Sequence, residues 1–319
     1  KGMVIYMALV SIALATYNGE KFIAEQMESI LNQSFQDFEV IIHDDCSADE
    51  TYNLLRQFAQ KDSRIVLKKN EYNLGFAKNF KTIVDDCSGK YIAFSDQDDI
   101  WDIRHLEVLL SIIENKDIAC GNALLVDQDN NSLGFTMKDV VGMKTEIKSD
   151  QICWRLFLDN FVQGATMLVR RELCQKYLPV PDVVKFHDYW LALVASLNNG
   201  VAYTSEVVLR YRQHENNVTK NTRSSIIREI YNSFNGINKK HFLRQTEVLS
   251  CLRERFKNNR VVEDSYKFYN DCYNRNVDKQ DCKYFEEHYM DMFLEKKYFT
   301  IRRFRSEEHT SELQSLHSI

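Results

Sequence analysis

The nine residues Tyr91–Asp99 read YIAFSDQDD, an apolar run that ends in three carboxylates. The run Tyr91–Phe94 predicts a buried strand, and the acidic cluster follows at its carboxyl end. Carboxylates this close repel one another unless a cation or hydrogen-bond donors lie among them. A hard divalent cation with oxygen ligands is one solution. An acidic loop in which an aspartate caps the next helix is the other, and this stretch alone does not choose between them.

Short apolar runs alternate with amphipathic stretches over the first 130 residues. The apolar runs predict strands at Val10–Ala15, Phe38–His43, Arg64–Leu67, Tyr91–Phe94 and Ile118–Val126. Spacings of three and four between apolar residues predict helices at Lys21–Asn32, Asp49–Ala59, Ala77–Cys87 and Arg104–Glu114. Strand–helix repetition with apolar strands predicts an α/β fold with a doubly wound, mostly parallel sheet.

Polar residues also follow two other predicted strands. Ala15–Gly19 reads ATYNG after the first strand, and His43–Ser47 reads HDDCS after the second. Each is an ordinary turn or helix cap when taken alone. In a parallel sheet, however, ligands bind beyond the carboxyl ends of the strands, so these segments and the acidic cluster should converge. The chain has neither a GxGxxG nor a GxxxxGK[ST] motif, so a cation would have to neutralise the phosphates of a bound nucleotide.

The bulk properties exclude several classes of protein. The chain of 319 residues has a net charge of −5, which does not suit a nucleic-acid-binding face. The longest apolar run, Met3–Ala15, is shorter than the roughly 20 residues that a membrane span requires. The eight cysteines include no CxxC pair, which favours a reducing compartment, and we therefore expect a cytoplasmic protein.

Three regions are expected along the chain. Residues 1–220 form the predicted catalytic domain, and residues 221–304 follow with a helical, aromatic-rich pattern. Lys296–Phe304 mixes basic and aromatic residues, which suits either a peripheral membrane contact at the inner face of the cell membrane or an ordinary basic helix. Arg305–Ser315 looks like one reading frame of a sequencing adapter, so we interpret residues 305–319 as non-native.

Six short strings, in this order and spacing, carry a resemblance to a known family. They are Ala15–Gly19, Ser29–Phe35, Asp44–Ser47, Asn73–Gly75 with Asn79, Asp96–Asp99 and His187–Trp190. From about Ala8 to Lys220 the chain resembles family 2 glycosyltransferases of the GT-A fold, especially the rhamnosyltransferase-like branch. The resemblance implies an inverting transfer of a sugar from a dTDP- or UDP-sugar donor to a glycan or lipid-linked acceptor in cell-surface polysaccharide synthesis.

The resemblance also implies residue roles. Asp188 would be the catalytic base. Asp98 and His214 would hold Mg²⁺ or Mn²⁺; an ordinary surface histidine is the alternative for His214. Asp45 would accept a hydrogen bond from a pyrimidine base. The nucleotide-sugar donor would be bound by Thr16, Tyr17, Asn18, Asp45, Asn73, Gly75, Asn79 and Asp96.

The acceptor side is less sharply defined. Many relatives have Glu-Asp at the base position, whereas this chain has His187 before Asp188, so His187 could bind acceptor or tune the base. Gln163 and Gly164 precede a predicted strand at Ala165–Val169 and could floor the acceptor pocket or form a simple turn. Trp190 could stack on an acceptor sugar or lie in the core.

Two other functions are compatible with these patterns. A catalytically inactive glycan-binding or scaffold protein could have the same fold, although Asp98 and Asp188 are both present. A sugar nucleotidyltransferase would also use a cation and carboxylates on an α/β sheet. That class usually needs a basic, glycine-rich loop near the start, and Thr16–Lys21 offers a single lysine.

Overall fold

The computed structural model describes residues 8–141, 151–158, 160–215 and 239–289. These residues divide into two compact units. The first contains the described residues of 8–152, 160–180 and 184–215, and the second contains 153–158, 181–183 and 239–289. Lys296–Phe304 and the expected non-native tail lie outside the described residues.

The beginning of the first unit alternates strands and helices as the sequence predicts. The strands are β1 (Val10–Thr16), β2 (Phe38–Asp44), β3 (Ile65–Lys69) and β4 (Tyr91–Ser95). The helices between them are α1 (Ile23–Leu31), α2 (Thr51–Lys61) and α3 (Phe76–Asp86). The four strands pair in parallel in the order β3-β2-β1-β4. Parallel pairing brings their carboxyl ends to one edge of the sheet.

The rest of the first unit is mixed. Its elements are β5 (Ile100–Trp101), α4 (His105–Ile113), β6 (Ile118–Val126), β7 (Ser132–Thr136), α5 (Met137–Val140), β8 (Met167–Arg170), α7 (Arg171–Tyr177), α8 (His187–Ser196) and β9 (Val201–Arg212); helix α6 (Ile152–Leu158) precedes β8 in the chain. The described residues form one nine-stranded sheet, ordered β3-β2-β1-β4-β8-β6-β9-β5 with β7 beside β6. Strand β8 is antiparallel to both of its neighbours. The expected α/β fold is confirmed.

One predicted strand begins later than expected. Residues 164–166 form a short 3₁₀ turn, and β8 starts at Met167. The turn closes because both the backbone N–H and the hydroxyl of Thr166 donate to the carbonyl of Gln163, each at 3.0 Å. Threonine, which is a good strand residue, here satisfies its polar groups locally instead.

The core of the first unit is packed by both faces of its central strands. Val10, Ile12, Ala13 and Leu14 on β1 are fully buried, as is Ile92 on β4. Burial on both faces is what helices on either side of a parallel sheet produce. The core therefore leaves only the ends of the strands for a polar site.

The second unit is helical where it is described. Its helices are α9 (Lys240–Arg255), α10 (Arg260–Asn274) and α11 (Lys279–His288). Asn259 and Asp278 cap the last two helices by accepting from Val262 N–H and Asp281 N–H, and aromatic contacts such as Phe268–Tyr284 pack α10 against α11. Among all described helices, none combines the length and apolar character needed to cross a membrane.

Candidate active site

The polar ends of β1, β2 and β4 lie side by side. Thr16 is in register with Asp44 across β1 and β2, and Leu14 is in register with Ser95 across β1 and β4. The ATYNG segment, the HDDCS segment and the acidic cluster therefore leave the sheet at the same edge. The structure thus brings together three segments that the sequence selected separately.

The two adjacent aspartates after β2 have different surroundings. The carboxylate of Asp44 is fully buried and accepts from Ser47 N–H at 3.0 Å, from the Ser47 hydroxyl and from the Thr16 hydroxyl at 3.2 Å. Cys46 then takes a positive φ of 68°. This turn directs Asp44 inward, where it holds the loop together, and leaves Asp45 as the aspartate of the candidate site.

Asp45 anchors the loop between β3 and α3. Its Oδ1 accepts from Asn70 Nδ2 and from Leu74 N–H, both at 2.8 Å, and its Oδ2 accepts from Gly75 N–H at 2.8 Å. An ionised carboxylate offers about four acceptor positions, so these three bonds leave about one for a ligand. The role expected for Asp45 toward a pyrimidine stays a prediction.

The side chains of Asn73 and Asn79 form hydrogen bonds within this loop. The side chain of Asn73 accepts from Gly75 N–H at 3.0 Å. Asn79 is buried and donates to the carbonyl of His43 at 3.1 Å while accepting from Asn70 Nδ2 at 2.9 Å. The two asparagines thereby fix Gly75, whose φ of 77° favours glycine, next to Asp45.

The loop after β1 presents an aromatic ring to solvent. Tyr17 is 48% exposed at the tip of this loop. Asn18 follows with a positive φ of 49°, and it both donates through its N–H to Ser47 Oγ and accepts from Ala48 N–H, each at 2.9 Å. The loop is therefore rigidly attached to the segment after β2, with the Tyr17 ring free to cover a flat ligand.

Asp98 of the acidic cluster contacts His214, the histidine to which the family resemblance assigned the same cation. His214 Nε2 lies 2.8 Å from Asp98 Oδ2, and both side chains are more than four-fifths buried. Burial, with the charges of Asp98 and Asp188, raises the pKa of Asp96 to about 7. Burial, with the charges of Asp98 and Asp96, also raises the pKa of Asp99 well above its usual value. The mutual repulsion expected of these carboxylates is present.

Arg212 holds this cluster in place, although no sequence pattern selects it as a site residue. Its guanidinium is 2% exposed and donates to the carbonyls of Asp98 at 2.9 Å and Gln128 at 2.7 Å, and to the carboxylate of Glu25 at 2.5 Å. The only visible signal was its place two residues before His214. A buried arginine with these partners fixes both the acidic cluster and the end of β9.

Asp98 and His214 fit a divalent cation in part. Within the ranges that the structure describes, no group of three or more His, Cys, Asp or Glu side chains could hold a metal ion by itself. Mg²⁺ and Mn²⁺ commonly bind through one or two protein side chains, with the remaining ligands supplied by substrate phosphates and water. The pair therefore suits a cation that arrives with a nucleotide diphosphate.

Asp188 lies within electrostatic reach of the acidic cluster, because its charge contributes to the raised pKa of Asp96. One carboxylate oxygen accepts from Gly164 N–H at 3.1 Å, and the other accepts from Tyr189 N–H. Burial raises the pKa of Asp188 to about 6, although these bonds and one from Asn160 lower it. At neutral pH the group is therefore ionised, yet it is a stronger base than an exposed aspartate.

The expected acceptor residues need correction at two positions. His187 is 5% exposed and lies among the rings of Phe76, Phe80 and Phe94, at centroid distances of 5.4, 4.7 and 4.5 Å. Trp190 is fully buried and donates to the carbonyl of Tyr177 at 2.9 Å. Both side chains belong to the core, because a helix as apolar as α8 is surrounded on all sides.

The lack of a side chain at Gly164 has a clear structural reason. A Cβ at this position would lie 3.2 Å from Nε2 of His187 and 3.8 Å from Cβ of Asp188. The glycine thus lets the 164–166 turn approach the start of α8, where its N–H reaches the Asp188 carboxylate. Gln163 lies beside it, half-buried, with its carbonyl used by Thr166.

Comparison with known proteins identifies the family. The glycosyl transferase family 2 model matches residues 11–178, more than half of the chain, and the chain belongs to this family. The Escherichia coli protein WfgD, a UDP-Glc:alpha-D-GlcNAc-diphosphoundecaprenol beta-1,3-glucosyltransferase, is 30% identical over 69% of this chain and 83% of its own length. The dTDP-rhamnosyl transferase RfbG of Shigella flexneri is 27% identical over 64% of this chain and 72% of its own length.

For three curated relatives, WfgD among them, the match covers 66%, 81% and 83% of the relative's own length. Among solved structures, the mannosyltransferase PcManGT from Pyrobaculum calidifontis, in complex with GDP-Man and Mn²⁺, superposes with a TM-score of 0.52. It is 14% identical, and the match covers 89% of this chain and 80% of that one. At this identity the likeness concerns the fold, and it confirms the GT-A type expected from the sequence.

Proposed function

We propose that the chain is a metal-dependent, inverting glycosyltransferase that uses a UDP- or dTDP-sugar and acts in cell-surface polysaccharide synthesis. The observation that carries this proposal is the position of Asp188. It is a buried carboxylate with a pKa raised to about 6, within electrostatic reach of the acidic cluster beyond β4. A base and a candidate cation site therefore lie together at the edge where a parallel sheet binds its ligands.

Asp188 would take the proton from an acceptor hydroxyl as that oxygen attacks the anomeric carbon. The bond from the anomeric carbon to the diphosphate breaks as the new bond forms, which inverts the configuration and needs no covalent enzyme intermediate. The hydrogen bonds from Gly164 and Tyr189 orient the carboxylate for this transfer. A general base of this kind contributes about 10²–10⁴ to the rate.

Asp98 and His214 would hold Mg²⁺ or Mn²⁺ together with the diphosphate. When bound, the cation stabilises the negative charge that the leaving diphosphate gains, by several kcal/mol. Arg212 keeps the Asp98 backbone and the end of β9 together, so both side chains face the same point. Asp96, half-buried beside them, would face the ribose and the cation.

The nucleoside would lie over the loop after β1. Tyr17 offers an exposed ring, and Asp45 has about one acceptor position left for a pyrimidine N–H. Relatives that use UDP-Glc and dTDP-rhamnose support a pyrimidine nucleotide, and the undecaprenol-linked acceptor of WfgD supports a glycan or lipid-linked acceptor. We propose a cytoplasmic enzyme with peripheral contact at the inner face of the membrane, where such acceptors lie.

A thermal-shift panel of UDP, dTDP, GDP and CMP, each with and without Mn²⁺, tests the nucleotide and the cation together. We expect a rise in the unfolding temperature for UDP or dTDP that requires Mn²⁺. Transfer from the preferred donor to a lipid-linked saccharide, followed by NMR assignment of the new anomeric linkage, then tests inversion. Folded protein that responds to no nucleotide, or a product of retained configuration, would contradict the proposal.

A further inference from the structure

The side chain of Gln97 joins the acidic cluster to the loop after β1. Its Oε1 accepts from the backbone N–H of Tyr17 at 2.8 Å, and its Nε2 donates to the carbonyl of the same residue at 3.1 Å. The amide thus pairs with Tyr17 as a neighbouring strand would. Two simultaneous bonds fix the position of the loop along and across the strand direction, which one bond would not do.

Gly19 provides the space for this pairing. A Cβ on Gly19 would lie 2.3 Å from Oε1, 2.5 Å from Cδ and 3.1 Å from Nε2 of Gln97, and these are its three nearest atoms. The φ of Gly19 lies outside the positive range, so backbone conformation does not demand glycine here. Glycine at this position leaves the space that the end of the Gln97 side chain occupies.

Gln97 lies between Asp96 and Asp98 in the chain, the two carboxylates proposed to face the cation. The Tyr17 loop is held on its other side by Ser47 and Thr51, whose hydroxyls accept from the backbone N–H groups of Asn18 and Gly19 at 2.9 and 2.7 Å. The position of the Tyr17 loop therefore depends on Gln97 as well as on the segment after β2. The side chain of Gln97 thus links the acidic cluster to the loop that carries Tyr17.

We propose that Gln97 is a positioning residue that couples cation binding at Asp98 to nucleoside binding at Tyr17. This inference rests on the proposed function. The binding free energies of the two ligands would then be coupled: Gln97 holds the Tyr17 loop in a fixed position relative to Asp98, so a cation that orders Asp98 also orders the loop that contacts the base. By linkage, a nucleoside diphosphate must raise the affinity for the cation by the same factor.

Calorimetric titration of UDP, with and without Mn²⁺, measures this coupling in Gln97→Ala and Gly19→Ala. Gln97→Ala removes the pairing with the Tyr17 backbone. Gly19→Ala keeps the glutamine but displaces its side chain. Each should lower the Mn²⁺-dependent gain in UDP affinity on the order of tenfold, and the double variant should lose no more than either single variant. Gln57→Ala, an exposed glutamine on α2, should keep the full gain and serves as the control.

Thermal unfolding supplies a readout that needs no nucleotide. Gly19→Ala should destabilise the wild-type background, yet much less so when Gln97 is already alanine. Gln97→Glu, which keeps the size but loses the N–H donor to Tyr17, gives a second variant should the alanine fail to fold.

The inference is overturned if Gln97→Ala keeps the full Mn²⁺-dependent gain, or if the losses of the two single variants add. Absence of UDP binding in the wild-type protein would instead overturn the proposed function, and the coupling with it.

Discussion

The imidazole of His214 lies 2.8 Å from the carboxylate of Asp98, although 116 residues separate them in the chain. The contact forms because β9 ends beside the loop that follows β4, and Arg212 bonds to the Asp98 carbonyl from the same strand. Sheet topology thus brings a carboxylate and an imidazole to one point. This pair is the cation site that we propose.

Asp98→Asn and His214→Ala should each weaken Mn²⁺-dependent nucleotide binding. Each removes one of the two side chains proposed to bind the cation, so the loss should be at least on the order of tenfold. Calorimetry with Mn²⁺ and UDP measures it. Asp129→Asn, an exposed carboxylate between β6 and β7, is the matched control. Unchanged Mn²⁺ dependence in both variants would remove the pair from the cation site.

Asp188→Asn should abolish transfer while leaving donor binding within about twofold. The amide keeps the size of the side chain but cannot take a proton, and a lost general base costs roughly 10²–10⁴ in kcat. Single-turnover transfer and UDP titration separate the two effects. Asp182→Asn, exposed and close in sequence, is the control. Loss of nucleotide binding in Asp188→Asn would refute the role as base.

The pH dependence of transfer should report the same carboxylate. Burial raises the pKa of Asp188 to about 6. A base acts in its ionised form, so kcat/KM should be constant above this pKa and fall about tenfold per pH unit below it. Rates measured from pH 4.5 to 8.5 at saturating Mn²⁺ give the profile. An exposed aspartate would instead keep its activity down to about pH 4.

The sequence predicted the strands and the segments at their ends because those signals are local. An apolar run bounded by a turn marks a strand wherever the partner lies, and strands such as β1 and β4 begin where the pattern predicts. The pairing of β8 against β4 could not be read in this way. That pairing joins residues more than 70 positions apart, and the 164–166 turn before β8 is formed by a threonine, a residue type that itself favours strands.

The residues that the sequence did not reveal are those whose bonding partners lie far away along the chain. Gln97 pairs with a backbone 80 residues away, and Arg212 reaches a carboxylate 187 residues away. Asp44 and Asp45 are chemically identical neighbours, and only the folded chain shows that Asp44 bonds to Ser47 whereas Asp45 bonds to the loop before α3. The sequence left Trp190 open between an acceptor site and the core, and only the packing of α8, most of whose residues are buried, places it in the core together with His187.

His187→Leu should stabilise the protein and weaken its sensitivity to acid. Among the described residues neither ring nitrogen has a hydrogen-bond partner, and burial lowers the pKa of His187 to about 3. The unfolded chain takes up a proton near pH 6.5 and the folded chain does not, so stability is lost as pH falls from about 6.5 toward 3. At pH 5 this penalty is about 2 kcal/mol, and leucine removes it.

Urea unfolding at pH 7.5 and pH 5 gives the free energy of unfolding that each protein loses between the two pH values. The loss in His187→Leu is then compared with the loss in the wild type. The variant should lose less stability than the wild type over this interval. An equal loss in both proteins would show that His187 finds a partner in solution.

Asp45→Asn should loosen the loop before α3. The amide would place an N–H₂ group against one of the backbone N–H groups that the carboxylate now accepts from, at Leu74 or Gly75. These donors are half-buried, so leaving one of them without an acceptor costs at most about 1–3 kcal/mol. Hydrogen exchange of these two amides should accelerate, because the loop opens more often when one of its bonds is lost.

Asp49→Asn, at the start of the neighbouring loop, is the comparison, since its bonds go to Thr51 and Glu20 instead. If the Leu74 and Gly75 amides exchange equally fast in both variants, Asp45 does not anchor this loop, and its carboxylate is wholly available for a nucleotide.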